Sequence, residues 1–224
     1  AWVSNGTIST VAALFCTIDP SMGFKGGGVA VVPLDLPGVS RGKPLDKIGQ
    51  RALDQGEIFF DDVRIPAEYM VIGSEAYGFI LETVLTMANA GMGTIFVGVA
   101  RAALEHAIDY AKERVQGGVA IFEHQSVKAR LFKMFAEVEA ARSLARRVSI
   151  YNATNQPGLV QYSIASKVFS TNTAFEVASS ALQIYGGNGL SREYPIEKLL
   201  RDARASMIED GCNDILSLVG AEKL

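Results

Sequence analysis

The chain contains 224 residues, of which 49% are hydrophobic and 20% are charged, a composition typical of a globular protein with one or two domains and a substantial core. This composition excludes a disordered or fibrous protein, and the formal net charge of −3 gives no electrostatic reason to expect a nucleic-acid partner. Two cysteines and two histidines are too few for a disulfide framework, and they argue against a metal site.

The opening part of the chain, residues 1 to about 66, has the pattern of strands and turns. Three runs rich in β-branched and aromatic residues, VAALFCTID, GGVAVVPLD and GEIFFDDVRIP, predict strands, and glycine- and proline-rich stretches separate them. So few strands leave unpaired edges in such a short segment. We therefore expect a further part of the sheet domain upstream of residue 1.

From Ser74 onward the hydrophobic period is helical. We expect helices over about 74–115, with a weak point at NAGMG, over 127–151, over 159–185, from Pro195, and in a last segment ending near Leu224. Long helices joined by short turns favour an antiparallel bundle. We expect no leader sequence and no apolar run near the roughly 20 residues of a membrane span. The few cysteines fit a reducing compartment.

The stretch QIYGGNG, residues 183–189, interrupts this helical pattern with three glycines. One interpretation is a helix C-terminus followed by a turn, which needs no ligand. The other is a break that lets a second backbone or a flat ligand approach, with exposed N–H groups suited to a pyrophosphate or an adenine edge. Gln183 lies one turn before the break, and Arg201 and Asp202 follow it on a short helix.

Several segments together resemble the acyl-CoA dehydrogenases. QIYGGNGLSREYPIEKLLRDAR is similar to that family's Q-I/V-x-G-G-x-G and Y/F-P-V/I-E-R/K-x-x-R-D patterns. AKERVQGG and FEHQSVKARLFKMFAEVEAAR resemble its Y-A-x-x-R-x-Q-F-G and following helix, and AWVSNG resembles its W-I/V-T/S-N-G strand. LDKIGQRALDQGEIFFDDVRIPAEYMVI resembles a further segment of the sheet domain, so the matches run in order over nearly all of the chain.

The resemblance implies an α+β fold that is mostly α. Residues 1–66 would form a partial antiparallel β-subdomain, which corresponds to the C-terminal half of the family's middle domain. Residues 67–224 would form an antiparallel four-helix bundle. The resemblance also implies FAD bound across a dimer interface, usually within a tetramer, and an electron-transferring flavoprotein as partner. The family's N-terminal helical domain and the first half of its sheet domain have no counterpart in this sequence. We expect a cytoplasmic protein, or a mitochondrial matrix protein in a eukaryote.

The resemblance also assigns cofactor residues. Trp2 and Ser4 match positions against the isoalloxazine ring, although an isolated tryptophan is more often simply packed in a core. Arg114 matches an arginine that contacts the FAD pyrophosphate from the neighbouring subunit, and its alternative is a helix-end cation that complements the macrodipole. The adenosine and pyrophosphate part of FAD is expected at three positions, Gln183, Gly186 and Gly187.

The reaction implied is the α,β-dehydrogenation of an acyl-CoA thioester, in which a carboxylate removes the α-proton. In MIEDGCND, Asp210 occupies the position of the family's usual glutamate base, and Cys212 replaces a threonine that contacts the flavin. Asp is one methylene shorter than Glu, so its reach must be recovered by a shift of about 1 Å in loop or substrate. Asp210 and Glu209 as solvated residues of a turn, or Glu209 as the base, are the alternatives.

Further departures lie in the first long helix and after it. Thr86 and Asn89 stand where the family often has Asp and Arg, Ala88 stands where another subgroup has its glutamate, and Gly117 replaces a phenylalanine. These changes leave two alternatives to an acyl-CoA dehydrogenase. One is a nitroalkane-oxidase-like flavoenzyme, which uses an Asp base, and the other is a non-catalytic, truncated member acting as a binding module.

Overall fold

The structure is a computed structural model that describes residues 2–155 and 157–224, with the side chain of Phe24 outside that description. It divides into two compact units, Ala1–Glu82 and Thr83–Leu224. The domain boundary at residue 66 stays a prediction from the sequence. The mostly helical α+β fold with small antiparallel sheets is confirmed.

The first unit is built from seven short strands in antiparallel sheets. These are β1 (Val3–Ser4), β2 (Val11–Thr17), β3 (Gly27–Pro33), β4 (Val39–Arg41), β5 (Gln55–Gly56), β6 (Ile58–Phe60) and β7 (Met70–Ile72). The order β2-β3-β7 forms a three-stranded sheet, while β1 pairs with β5 and β4 pairs with β6. The β2–β3 register runs from Val11 opposite Pro33 to Thr17 opposite Gly27, and β3 supplies most of the buried residues.

The first two predicted strands are confirmed by β2 and β3, but the third is wrong as one continuous strand. GEIFFDDVRIP contributes only to the separate strands β5 and β6, and pairing ends at Phe60. Asp62 has a φ of 50°, which a regular strand does not accommodate, and Pro66 has no N–H for a strand ladder. The backbone therefore leaves the sheet before the apolar pattern ends.

The helices are α1 (Ser74–Glu113), α2 (Gln125–Thr154), α3 (Val160–Tyr185), α4 (Ile196–Ser206) and α5 (Asn213–Ala221). A short hairpin of β8 (Val115–Gln116) and β9 (Val119–Ala120) follows α1. The weak point at NAGMG does not interrupt α1. Gly93 instead allows a close approach, because a Cβ there would lie 2.4 Å from the Ser166 hydroxyl oxygen of α3.

Small side chains let the long helices pack closely. Alanines on α1 and α3 are almost fully buried: Ala100, Ala103, Ala107, Ala111, Ala174, Ala178 and Ala181. Apolar residues of α2 that are spaced by three and four form its buried face: Leu131, Met134, Val138, Ala141, Ala145 and Val148. Phe135 and Tyr151 belong to the same spacing pattern but remain 49% and 40% exposed, because the apolar stripe is wider than the surface that the other helices cover.

The expectation that no apolar run approaches a membrane span is wrong for α1. By length and composition alone, Ser74–Glu113 is the one helix in the described part of the chain that could cross a membrane. The core helix of a globular bundle passes the same test, because it too is long and carries few charges. In this structure 44% of its most apolar window is buried, and Ala100, Leu104 and Ala107 pack in the bundle core.

Candidate functional site

The presence of glycine at the three positions that follow α3 is explained differently at each position. Gly186 ends the helix with a φ of 59°, and its N–H donates to the carbonyl oxygen of Gln183. A Cβ on Gly189 would lie 2.7 Å from the Leu182 carbonyl oxygen, so Gly189 is required for packing. A Cβ on Gly187 would meet nothing within 4 Å, and Gly187 has no positive φ. A helix end therefore explains Gly186, packing explains Gly189, and neither explains Gly187.

A cluster of tyrosines fixes this glycine turn. The Asn188 side-chain amide donates to the hydroxyls of Tyr110 at 3.0 Å and Tyr194 at 3.3 Å. The rings of Tyr110 and Tyr185 stack with centroids 4.0 Å apart, and the Tyr185 hydroxyl donates to the His106 carbonyl oxygen. Burial raises the pKa of Tyr185, with smaller contributions from Tyr110 and nearby acids. The cluster ties the ends of α1 and α3 and the start of α4 into one scaffold.

Arg114 lies at the same end of the bundle as the glycine turn. It directly follows α1, and its backbone N–H donates to the carbonyl oxygen of Tyr110, the residue that stacks on Tyr185. Its side chain is exposed, as are Gln183, Gly186 and Gly187. The predicted nucleotide residues of the second unit are therefore all exposed and lie at the same end of the bundle.

Trp2 and Ser4 belong to the first unit, beside and within β1. Trp2 is 65% exposed, so core packing is not its role. Ser4 pairs with Gln55 of β5, and the Gln55 amide reaches the Ser4 hydroxyl at 3.5 Å. An exposed indole ring offers a flat apolar surface, which is the property that stacking against a flavin requires.

Asp210 lies in the short connection between α4 and α5. Asp210 has a φ of 49° and Gly211 a φ of 97°, so two consecutive residues adopt left-handed conformations. Asp210 is exposed, whereas Cys212, at the N-cap position of α5, is partly buried. The turn geometry agrees with the solvated-turn interpretation and also leaves the Asp210 carboxylate accessible to a ligand. Its role as a base stays a prediction.

Lys167 is a residue of this region that the sequence analysis missed. Its side chain is fully buried, and its ammonium donates to the Gly211 carbonyl oxygen at 2.7 Å and to Asn213 Oδ1 at 2.8 Å. Burial lowers the pKa of Lys167, while the charges of Asp210 and Glu209 and the nearby Cys212 oppose that shift. The only signal in the sequence was a lysine on the apolar face of α3.

The structure does not bring the Asp210 turn and the glycine turn together within one chain. Lys167, beside the Asp210 turn, and Gly186 are separated along α3 by about five helical turns, or about 28 Å. One chain therefore presents two separate groups of predicted residues: the glycine turn at the C-terminal end of α3, and the Asp210 turn beside Lys167.

The departures in α1 are buried side chains. Thr86 and Asn89 are both inside the second unit, and the Asn89 amide donates to the Leu85 carbonyl oxygen of its own helix. Gly117, with a φ of 66°, forms the β8–β9 turn that a phenylalanine would strain. Among the residues that the structure describes, no group of His, Cys, Asp and Glu side chains is arranged to hold a metal ion.

Comparison with known proteins identifies the family. The family model described as "Acyl-CoA dehydrogenase, C-terminal domain" matches residues 78–224. The chain belongs to the acyl-CoA dehydrogenase family. The short-chain-specific acyl-CoA dehydrogenase of Megasphaera elsdenii is 34% identical over 219 residues, which make up 97% of this chain and 57% of that protein. The chain thus spans about half the length of the curated relatives that it matches.

Solved structures of the family share the fold. Butyryl-CoA dehydrogenase from Megasphaera elsdenii superposes with a TM-score of 0.92 at 30% identity, over 99% of this chain and 57% of that one. A structure described as the electron transferring flavoprotein of Acidaminococcus fermentans also gives a TM-score of 0.92, at 29% identity, over 99% of this chain and 58% of that one.

The residues present fit FAD, the cofactor that family membership implies. A pyrophosphate needs close backbone approach and positive charge. The open position at Gly187, where a Cβ would meet nothing, meets the first need, and the exposed guanidinium of Arg114 meets the second. The exposed ring of Trp2 is a suitable surface for the isoalloxazine.

Proposed function

We propose that the chain is the flavin-binding and catalytic part of an FAD-dependent acyl-CoA dehydrogenase. The observation that carries the proposal is the exposed backbone at Gly187, where nothing in the fold requires glycine, at the same end of the bundle as an exposed Arg114. Both residues match family positions for the FAD pyrophosphate. Because helix punctuation accounts for Gly186 but not for Gly187, a ligand is the better explanation of the second glycine.

Each predicted cofactor residue has a defined task in this proposal. Gln183, Gly186 and Gly187 hold the adenosine and pyrophosphate of FAD, and Arg114 of the same protomer supplies positive charge to the phosphates, while the flavin of that FAD belongs to the neighbouring subunit. The large separation between the glycine turn and the Asp210 turn along α3 supports a cofactor shared between subunits, because each protomer then contributes one end of a complete site. We therefore propose a homodimer or homotetramer.

The reaction proposed is the removal of two hydrogens from adjacent carbons of a thioester. FAD, when bound, accepts a hydride from the β-carbon. The Asp210 carboxylate takes the α-proton, and the electron pair of that C–H bond forms the new double bond between the α- and β-carbons. The exposed position of Asp210 allows a substrate to reach it.

The proposal extends to partners and location. We propose an acyl-CoA as substrate, an electron-transferring flavoprotein as acceptor, and a cytoplasmic location, or the mitochondrial matrix in a eukaryote. Support for the substrate comes from a relative named as a short-chain-specific acyl-CoA dehydrogenase, and support for the acceptor comes from a similar structure described as an electron transferring flavoprotein. The thioester's acyl chain is not specified by any residue described above.

A nitroalkane-oxidase-like reaction is the second candidate. It is favoured by the Asp at the base position and by the buried Thr86 and Asn89, which stand where many family members have Asp and Arg. A carboxylate that removes the proton next to a nitro group requires neither of those residues.

Substrate-driven bleaching of the flavin in the full-length protein, without oxygen, tests the proposal. An acyl-CoA should bleach the wild-type protein, and Asp210→Asn should keep its flavin but lose bleaching by at least about 100-fold, because the amide cannot accept the proton. Asp214→Asn, which changes an exposed aspartate on α5, is the matched control and should bleach like the wild type.

The other outcomes are equally informative. Bleaching by a nitroalkane and not by an acyl-CoA would select the second candidate. A protein that binds no added FAD in its intact assembly would point to a non-catalytic binding module. Full activity in Asp210→Asn would remove Asp210 from the role of base.

A further inference from the structure

Lys167 places an ammonium group where burial is costly. The side chain has no exposed surface, and a lysine in such a position is stable only when its N–H groups are bonded to acceptors. Its bonds to the Gly211 carbonyl oxygen and to Asn213 Oδ1 provide two acceptors, one on each side of Cys212. Gly211 belongs to the connection that contains Asp210, and Asn213 is the first residue of α5. The hydrogen bonds that compensate for burying this charge therefore both go to one short segment of the chain, residues 211–213.

That segment adopts a conformation that needs support. Asp210, with a φ of 49°, is one of few non-glycine residues of the described chain in the left-handed region, and such a residue costs on the order of 1 kcal/mol. It persists only when the surrounding structure fixes it. Gly211 continues the left-handed path, and the Asn213 N–H donates to the Met207 carbonyl oxygen across the turn.

The bonds of Lys167 are part of a larger polar contact between α3 and the start of α5. The Asn213 amide donates to the Thr171 hydroxyl at 3.0 Å and to Asn172 Oδ1 at 3.1 Å. Lys167 and Thr171 lie one helical turn apart on α3, so they present a rigid row of polar groups to the turn. The turn is therefore held by a helix, which is a more accurate support than a loop.

We propose that Lys167 is a positioning residue for Asp210. Its ammonium fixes the carbonyl of Gly211, the residue next to the base, and so fixes the direction in which the Asp210 carboxylate points. The inference rests on the proposed function of Asp210. It matters most for an aspartate, because the shorter side chain leaves less freedom to correct a misplaced backbone than a glutamate would have.

The test compares Lys167→Met with Lys133→Met in the full-length flavoprotein. Methionine keeps the length and volume of the lysine chain but cannot donate hydrogen bonds, and Lys133 is an exposed lysine on α2 that serves as the matched control. The first measurement needs no substrate: amide hydrogen exchange over residues 208–213. We expect faster exchange there in Lys167→Met alone, with the core of α3 unchanged.

The second measurement is the rate of flavin reduction by substrate, together with the substrate Kd. We expect a 10- to 100-fold lower rate in Lys167→Met with little change in substrate Kd, because an error of about 1 Å in the base affects the transition state more than binding. A general structural defect would weaken substrate binding as well, so a lower rate at an unchanged Kd identifies a positioning role.

Two further variants keep the inference testable if Lys167→Met does not fold. Lys167→Gln retains one donor, and Asn213→Ala retains the bond from Lys167 to Gly211, so both should give intermediate rates. A wild-type rate and wild-type amide exchange in the Lys167 variants would overturn the inference. Retained activity in Asp210→Asn would instead remove the proposed base itself, which separates failure of the function from failure of the inference.

Discussion

The glycine turn gives the sharpest test of the cofactor assignment, because two neighbouring glycines should respond in opposite ways. A Cβ on Gly187 meets nothing within 4 Å and the residue has no positive φ, so Gly187→Ala should change the free energy of unfolding by less than about 1 kcal/mol. A Cβ on Gly189 would lie 2.7 Å from the Leu182 carbonyl oxygen and 3.0 Å from Tyr185 Cβ. Gly189→Ala should therefore cost about 1–3 kcal/mol.

The two substitutions should affect the affinity for FAD in the opposite order, with the larger loss in Gly187→Ala. A methyl group on Gly187 occupies the space through which the pyrophosphate approaches the backbone, so we expect at least a 10-fold weaker Kd for FAD, or about 1.4 kcal/mol. The assays are thermal or denaturant unfolding of the apo-protein and a fluorescence titration with FAD. Gly98→Ala, at another open glycine position far along α1, is the matched control and should change neither quantity by much.

The reasoning would be refuted if Gly187→Ala bound FAD as tightly as the wild type. In that case the glycines would serve only to end α3 and to form a turn, and the assignment of the pyrophosphate to this surface would be withdrawn. A large loss of stability in Gly187→Ala would contradict the structure itself, because it would mean that the space beside this residue is filled.

Two further predictions concern stability. The Arg201 side chain donates to both carboxylate oxygens of Glu197, at 2.6 and 3.0 Å, and lowers the pKa of Glu197. The contribution of this ion pair to the free energy of unfolding is complete above the unfolded-state pKa of glutamate, about 4.3. It is lost as pH falls through the lower pKa of the folded state. Glu197→Gln should thus cost about 0.5–1 kcal/mol at pH 7, with a difference from wild type that disappears on acid titration. Gly93→Ala should lower the free energy of unfolding by about 1–3 kcal/mol, and adding Ser166→Ala to it should recover part of that loss. Gly91→Ala, the control, should be neutral or stabilising. Unfolding measurements that rank these three proteins differently would contradict the close contact between α1 and α3.

Helix positions were predictable because they depend on local pattern. The expected segments at 127–151 and 159–185 correspond to α2 and α3, since three- and four-residue spacing of apolar side chains is the condition for burying one face of a helix. The helix expected over about 74–115 is confirmed by α1, but the reason for the glycines inside it was not predictable. Two glycines in NAGMG weaken a helix locally, and only the close contact between Gly93 and Ser166 shows why glycine is required inside it.

The candidate site was predictable only in part. The glycine turn and Arg114 were predicted because their residue types match family motifs, and Asp210 was predicted because it occupies the position of the family's glutamate. Lys167 was missed, because its partners lie more than forty residues later in the chain and a single lysine in an apolar helix face has no distinctive pattern. Trp2 could have been interpreted either way from sequence, and only its exposed fraction distinguishes a stacking surface from a core residue.

By itself the sequence determined the family and the types of the main elements, and it indicated candidate residues for the chemistry, because these follow from local periodicity and from motifs that are contiguous in the chain. Only the tertiary structure decided which glycine is open to a ligand, which is needed for packing, and what supports the turn that carries Asp210. Those properties depend on the distances between side chains far apart in the sequence. Burial and hydrogen bonding between such residues are set by the packed helices.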